Sequence, residues 1–187
     1  MLRELLLQNR SYRRFHQSER LSPATLREWA GLARLCPSGR NAQPLKYRVV
    51  ADEATCREVF ATLAWAGYLK DWDGPAEGER PAAYLVQLLD TGIAAECFCD
   101  DGIQALAILL GAAEQGFGGC IVKAFKEEPL RRALALPPAL KIRHVIALGR
   151  PAERVVLEET RGDDYKYWRD ADGTHHVPKR PVDDLIA

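Results

Sequence analysis

The sequence predicts a mixed domain, α+β or α/β, in which helices flank a sheet. Two observations lead there. Amphipathic helical stretches alternate with short apolar runs of strand length between residues 2 and 149. One helical stretch, 101–115, is apolar nearly all round, as a central helix covered on several sides must be. The 187 residues suit a single domain, 1–187, with a full-sized core, and 47% of them are hydrophobic, which excludes a disordered chain.

Leu2, Leu5 and Leu6 open the chain as a short helix that stops at the basic turn Asn9-Arg10-Ser11-Tyr12-Arg13-Arg14-Phe15. Ser22-Pro23 is a helix start, a capping hydroxyl followed by proline at the first helical position. Leu26, Trp29, Ala30 and Ala33 follow at the spacing of one buried stripe. Tyr47–Ala51 reads as a strand, and Asp52 as the cap of a helix carrying Val59, Phe60 and Leu63. Residues 65–81 hold no period and mix Trp65, Tyr68 and Trp72 with glycines and charges. A loop this long with such aromatics reads as a lid or pocket wall, or as a subunit contact. Ala82–Leu89 is a buried strand, and Gly116-Phe117-Gly118-Gly119 stops the central helix. Cys120–Phe125 is a short extended piece, Pro129 starts a small helix, and Ile142–Gly149 is a further strand. Residues 150–187 show little periodicity; their aromatics suggest an extension that wraps over something else, such as a second subunit.

The stretch from Cys36 to Tyr47 is the most specific in chemistry. Prolines 37 and 44 and Gly39 set the backbone, while Ser38, Asn41 and Gln43 offer directed donors and acceptors. A firm loop of this kind suits a planar ligand rich in heteroatoms.

Lys+Arg equals Asp+Glu at 26 each, which gives no electrostatic reason to expect nucleic acid. No run approaches the ~18 apolar residues of a membrane span. The N-terminus is too short and charged for a secretory signal. Five cysteines, an odd set without disulfide-rich spacing, fit reduced thiols in a cytoplasm. No phosphate-loop or dinucleotide fingerprint occurs. Cys97-Phe98-Cys99 lacks zinc spacing, although its alternation would put both thiols on one face of a strand, and no metal site is expected.

Five motifs in order resemble those of the FMN-dependent nitroreductase family. Asn9–Phe15 resembles its opening arginine-serine-x-arginine signature, and Pro37–Leu45 its proline-serine-serine-x-asparagine-x-glutamine-proline turn. Asp101-Gly102 through Gly118, Gly149-Arg150-Pro151, and Pro178-Lys179-Arg180 match the family's later elements. Asn9 and Leu45 stand where the family carries arginine and tryptophan, and no residue separates Lys179 from Arg180.

The resemblance implies an α+β, helix-flanked, mainly antiparallel sheet in an intertwined homodimer, with the C-terminal tail crossing to the partner. It implies FMN as cofactor and NADH or NADPH as donor. A small electron-poor acceptor such as a nitroaromatic or quinone would be reduced by ping-pong hydride transfer through flavin N5, with no catalytic side chain. The family's chemistry also includes dehalogenation, dehydrogenation and flavin destruction, and a non-catalytic flavin store or sensor is the alternative of another class. By resemblance, Arg10 and Ser11 meet the phosphate and ring edge, and Arg13 sits near N1 and O2. Ser38, Asn41 and Gln43 touch the flavin, the Ser38–Asn41 portion coming from the other subunit. The backbone of Val122, Lys123 and Ala124 faces N5 and O4, and Lys179 and Arg180 hold the phosphate. Trp65, Tyr68 and Trp72 are the candidates for stacking on the acceptor.

Overall fold

The structure, a computed structural model, describes residues 2–186. In chain order the elements are α1 (Leu2–Gln8), α2 (Pro23–Ala33), β1 (Leu45–Val50), α3 (Glu53–Phe60), β2 (Ala83–Asp90) and α4 (Asp100–Glu114), then β3 (Gly118–Val122), α5 (Glu127–Ala133), β4 (Leu140–Gly149), β5 (Val155–Glu159), β6 (Trp168–Arg169) and β7 (His175–Lys179).

The main sheet has the order β1-β2-β4-β3, and each neighbouring pair is antiparallel. This decides between the two predicted classes: the fold is α+β. Side chains of β2 and β4 alternate between two cores. Leu85, Ile146 and Leu148 pack with Leu26, Trp29 and Ile108 of α2 and α4 on one face. Tyr84, Val86 and Val145 pack with Val59 of α3 and Leu130 of α5 on the other. Both faces are covered, which is why β2 reads as a continuous apolar run. Each fully buried large side chain here contributes roughly 1.5–3 kcal/mol.

Local signals place the helices. Ser22 Oγ accepts from the Thr25 amide at 3.0 Å, and Pro23 occupies the first turn of α2. Asp52 Oδ1 accepts from the Thr55 amide at 2.8 Å and caps α3. Helix α5 begins two residues before Pro129, at Glu127. Proline fits there because a first-turn amide has no intrahelical partner to lose.

The glycines after α4 serve close packing as well as helix termination. A Cβ on Gly118 would stand 2.5 Å from the Tyr12 ring, and one on Gly119 would strike the Ala147 carbonyl and Leu109. Their absence lets residues 11–12 lie along edge strand β3. Ser11 bridges Gly119 in parallel sense, and the Tyr12 amide donates to the Gly119 carbonyl at 3.1 Å.

Two expectations are corrected. Residues beyond Arg150 are more regular than their sequence suggests: β5-β7-β6 form a second sheet, parallel between β5 and β7 and antiparallel between β6 and β7. Its strands are short and mostly half-buried, so they carry little hydrophobic period. They are joined by backbone pairing, by the Trp168–His176 stack at 3.9 Å, and by His176 held between Glu158 and Asp170. This sheet rests on the 65–75 loop of its own chain, with Tyr167 against Tyr68 at 4.9 Å and Arg169 over Trp72 at 4.6 Å. Likewise Cys97-Phe98-Cys99 is a turn instead of a strand. Phe98 takes a left-handed φ of 50°, so Cys97 is buried while Cys99 faces outward.

Candidate functional site

A cleft of about 220 Å³ opens where the basic N-terminal turn meets the end of β3. Arg13, Ala64–Gly67 and Cys120–Ala124 line it. The strand β3 is at the sheet edge, so one of its sides is free to accept residues 11–13. Beyond β3 the chain pairs with residues 62–64: the Ala64 amide donates to the Ala124 carbonyl at 2.9 Å, and the Lys126 amide to the Thr62 carbonyl at 2.8 Å. This pairing brings Trp65 to the wall of the cleft.

Trp65 belongs largely to the core. It is 9% exposed and tilts onto Phe60 at 5.9 Å. Gly74, at φ 119°, lets the returning loop cross it, because a Cβ there would lie 2.5 Å from Trp65 Cδ1. The Trp65 indole N–H is buried with no acceptor among the described residues. Tyr68 is half exposed beside Tyr165 and Tyr167, and Trp72 is covered by Arg169; neither lines the cleft.

The amides of Lys123 and Ala124 donate to no backbone or side-chain acceptor among the described residues, and both residues are exposed. They form a small donor array beside the cation of Arg13. Arg10 reaches the Leu6 carbonyl, while its Nε is buried without a partner. Burial pushes the Cys120 thiol up from its ordinary value, which argues against a thiolate nucleophile here.

Thus the chain brings Arg10, Ser11, Arg13, Val122, Lys123 and Ala124 to one sheet edge, with Trp65 closing the side. The Cys36–Tyr47 loop lies elsewhere, at the start of α4. Ser38 Oγ donates to Asp100 Oδ2 at 2.6 Å, and the Gly39 amide donates to Asp100 Oδ1 at 2.9 Å. Ser38 Oγ also accepts from the Gln43 amide at 2.9 Å. The unusual backbone of this loop falls on side-chain-bearing residues: Arg40, Asn41 and Gln43 have φ of 54°, 52° and 50°. Gly39 instead provides room, since a Cβ there would meet the Phe98 ring at 2.6 Å. Left-handed conformations at L-residues persist where the surroundings enforce them, a common property of ligand-contacting loops.

Lys179 ends β7 opposite Glu159, and Arg180 faces Asp163 at 3.3 Å and Asp184 at 3.8 Å. Neither lines the cleft. Lys179 stands four residues along β7 from His175, about 13 Å at strand spacing, and Arg180 follows just past the strand.

Several residues at this site carry no periodic signal in the sequence. Glu153, with a fully buried carboxylate, accepts from the amides of Arg13 at 2.5 Å and Arg14 at 3.1 Å, and pairs with Arg169 at 2.9 Å. His175 and Tyr167 flank the Arg13 guanidinium. Asp100 is the anchor of the Ser38 turn.

The model of the family described as "Nitroreductase family" matches residues 6–150, most of the chain. The chain belongs to the nitroreductase family. Solved nitroreductase-family structures share its fold. A protein from Streptococcus pneumoniae TIGR4 superposes with a TM-score of 0.69 at 17% identity, covering 100% of this chain and 99% of that one. A candidate NAD(P)H:FMN oxidoreductase from Staphylococcus epidermidis ATCC 12228 gives 0.71 at 15% identity, covering 100% and 95%. CLA-ER, an enone reductase of gut-bacterial fatty acid saturation, gives 0.69 at 17% identity, covering 87% and 93%. No curated protein matches the chain. Among the described residues no helix is long and apolar enough to cross a membrane.

Proposed function

We propose that this nitroreductase is an FMN-dependent oxidoreductase that takes electrons from NADH or NADPH and reduces a small electron-poor acceptor. The observation that carries this reading is the juxtaposition of Arg13 with the unpaired amides of Lys123 and Ala124 at one end of an aromatic-walled cleft. FMN, when bound, supplies a ring that accepts hydride from the nicotinamide and returns it to an acceptor in the same place.

The residues present fit that ring. Its pyrimidine edge becomes electron-rich on reduction, and a fixed guanidinium beside that edge favours the reduced form. The amides of Lys123 and Ala124 are hydrogen-bond donors for the ring's central edge, which removes the need for a side-chain acid. Cys120, Val122 and Trp65 present an apolar floor and wall for a flat heterocycle. The phosphate end is assigned to Arg10, whose Nε has no protein partner, and to the Lys179–Arg180 end of β7.

One chain provides part of the enclosure. Ligand pockets usually measure about 300–1,000 Å³, and this cleft measures about 220 Å³. The Ser38–Gln43 loop, shaped for a ligand, lies at another edge of the same chain. A homodimer in which that loop completes the partner's cleft accounts for both facts. Apolar Leu6, Leu7, Ile103 and Leu106 are exposed on the touching helices α1 and α4, which offers the surface for such a dimer. The printed names of the Staphylococcus epidermidis and CLA-ER proteins accord with flavin and reductase chemistry.

The test is the absorbance spectrum of purified protein reconstituted with FMN, before and after anaerobic NADH or NADPH. Bleaching of the flavin band, followed by its return on adding a quinone, is expected. A bound flavin that neither nucleotide bleaches would leave a flavin store or sensor as the better description. Failure to bind FMN would overturn both.

A further inference from the structure

The family match ends at residue 150, yet the arginine at the cleft is held from beyond that point. Arg13 Nη1 lies 3.2 Å from His175 Nε2 on β7. Its guanidinium carbon sits over the Tyr167 ring, 4.9 Å from the centroid. Tyr167 in turn packs on His175 with ring centroids 5.1 Å apart. Glu153 fixes the backbone of the same residue through the Arg13 amide. Ring, imidazole and carboxylate thus contact one arginine, and all come from the C-terminal segment.

The chemistry of the His175 contact has one consistent assignment. A guanidinium has only donors, so His175 Nε2 must accept. The ring is therefore neutral with its proton on Nδ1, an atom buried without a partner among the described residues. The opposite tautomer would set two N–H groups against each other. Burial of the ring, and then the guanidinium groups of Arg13 and Arg169, oppose a second proton.

We infer that His175, with Tyr167, is a positioning residue: the C-terminal sheet clamps Arg13 in one rotamer and so fixes the cation presented to the cleft. A clamped guanidinium has lost its rotamer freedom before any ligand arrives, so its full electrostatic effect falls on the bound ring. The inference rests on the flavin reading for its consequence but not for its geometry, and the two are tested apart.

The geometry is read in the FMN-free protein by ¹⁵N-histidine NMR. The wild type is expected to show His175 as the Nδ1–H tautomer, and Arg13→Ala to lose that preference. An Nε2–H tautomer or an imidazolium in the wild type at pH 7.5 would overturn the clamp, whether or not FMN binds. The consequence is read as the midpoint potential of bound FMN. Replacing His175 by leucine is expected to lower the preference for reduced over oxidised FMN by about threefold to tenfold, the range of a cation–π contact or a typical net hydrogen bond. Glutamine, whose Oε1 can accept near the place of Nε2, should restore most of it. In Arg13→Ala the His175 substitution should add nothing further. Should His175→Leu fail to fold, Tyr167→Leu provides the same reading through the other contact. A wild-type potential in the folded variants, or effects that add independently of Arg13, would overturn the positioning role. Absence of FMN binding by the wild type would overturn the proposed function instead.

Discussion

Ser38 donates to Asp100 across 2.6 Å, and this bond fastens the strained turn before β1 to the first turn of the central helix. Asp100 is 1% exposed and accepts from the Gly39 amide as well, so one carboxylate satisfies two groups of the loop. Its position at the start of α4 also favours negative charge.

Asp100→Ala is therefore expected to cost about 2–4 kcal/mol, since it removes two charge-assisted bonds and leaves Ser38 unpaired there. Urea unfolding of the variant checks this. A midpoint equal to wild type would show that the loop does not depend on Asp100.

Gly74→Ala tests the wall of the cleft. The position has φ 119°, and a new Cβ would collide with Trp65 Cδ1 at 2.5 Å. A loss of about 1–3 kcal/mol is expected from strain and displacement together. Thermal unfolding gives the magnitude, and a red shift in tryptophan emission should accompany it as Trp65 becomes wetter. An unchanged melting temperature would mean the loop does not rest on Trp65.

Acid should weaken the fold through two histidines. Burial lowers His144 and, with Arg13 and Arg169 adding to it, His175, each from 6.5 to about 4. Between those values the unfolded chain binds protons that the folded chain refuses, so stability rises with pH across that window. Their contribution is complete above about pH 6.5 and declines as pH falls to about 4, on the order of 3 kcal/mol for each ring. His176 works in the opposite direction: Asp170 and Glu158 raise it, so its contribution is lost as pH rises through its folded value. Both nitrogens of His144 are buried without partners, so His144→Leu should be at least as stable as wild type at pH 7 and less sensitive to acid. Denaturant midpoints from pH 4 to pH 8 decide it; an unaltered slope in His144→Leu would contradict the assignment.

Much of the fold was legible because its signals are local. The Ser22-Pro23 and Asp52 caps need only neighbouring residues, and α4 buries Ala105, Ile108, Leu109 and Ala112 while its apolar Ile103 and Leu106 stay exposed. The antiparallel order of the sheet was not legible from periodicity, because strands buried on both faces lose their alternation. At the site, Arg13, Lys123 and Ala124 came from motif resemblance and meet at one cleft. Glu153, Tyr167 and His175 did not, because two lie in irregular chain and one starts a short strand, where no period announces a partner. The sequence suggests a lid, pocket wall or subunit contact for residues 65–81, and Trp65 does line the cleft, but Gly74 lets the loop fold the indole inward until it is largely buried.

Replacing Lys179 and Arg180 together by alanine tests the phosphate assignment. FMN affinity is expected to fall by roughly tenfold or more, from lost charge-assisted contacts. Equilibrium titration with FMN measures it. Wild-type affinity would leave the phosphate to Arg10 and remove the end of β7 from the site.

The midpoint potential of FMN bound to Arg13→Ala tests the account at its centre. The expected result is a lower potential than wild type with flavin still bound, because the cation that favours the reduced ring is gone while the Lys123 and Ala124 amides remain. A potential equal to that of the wild type would contradict the placement of the isoalloxazine edge at Arg13.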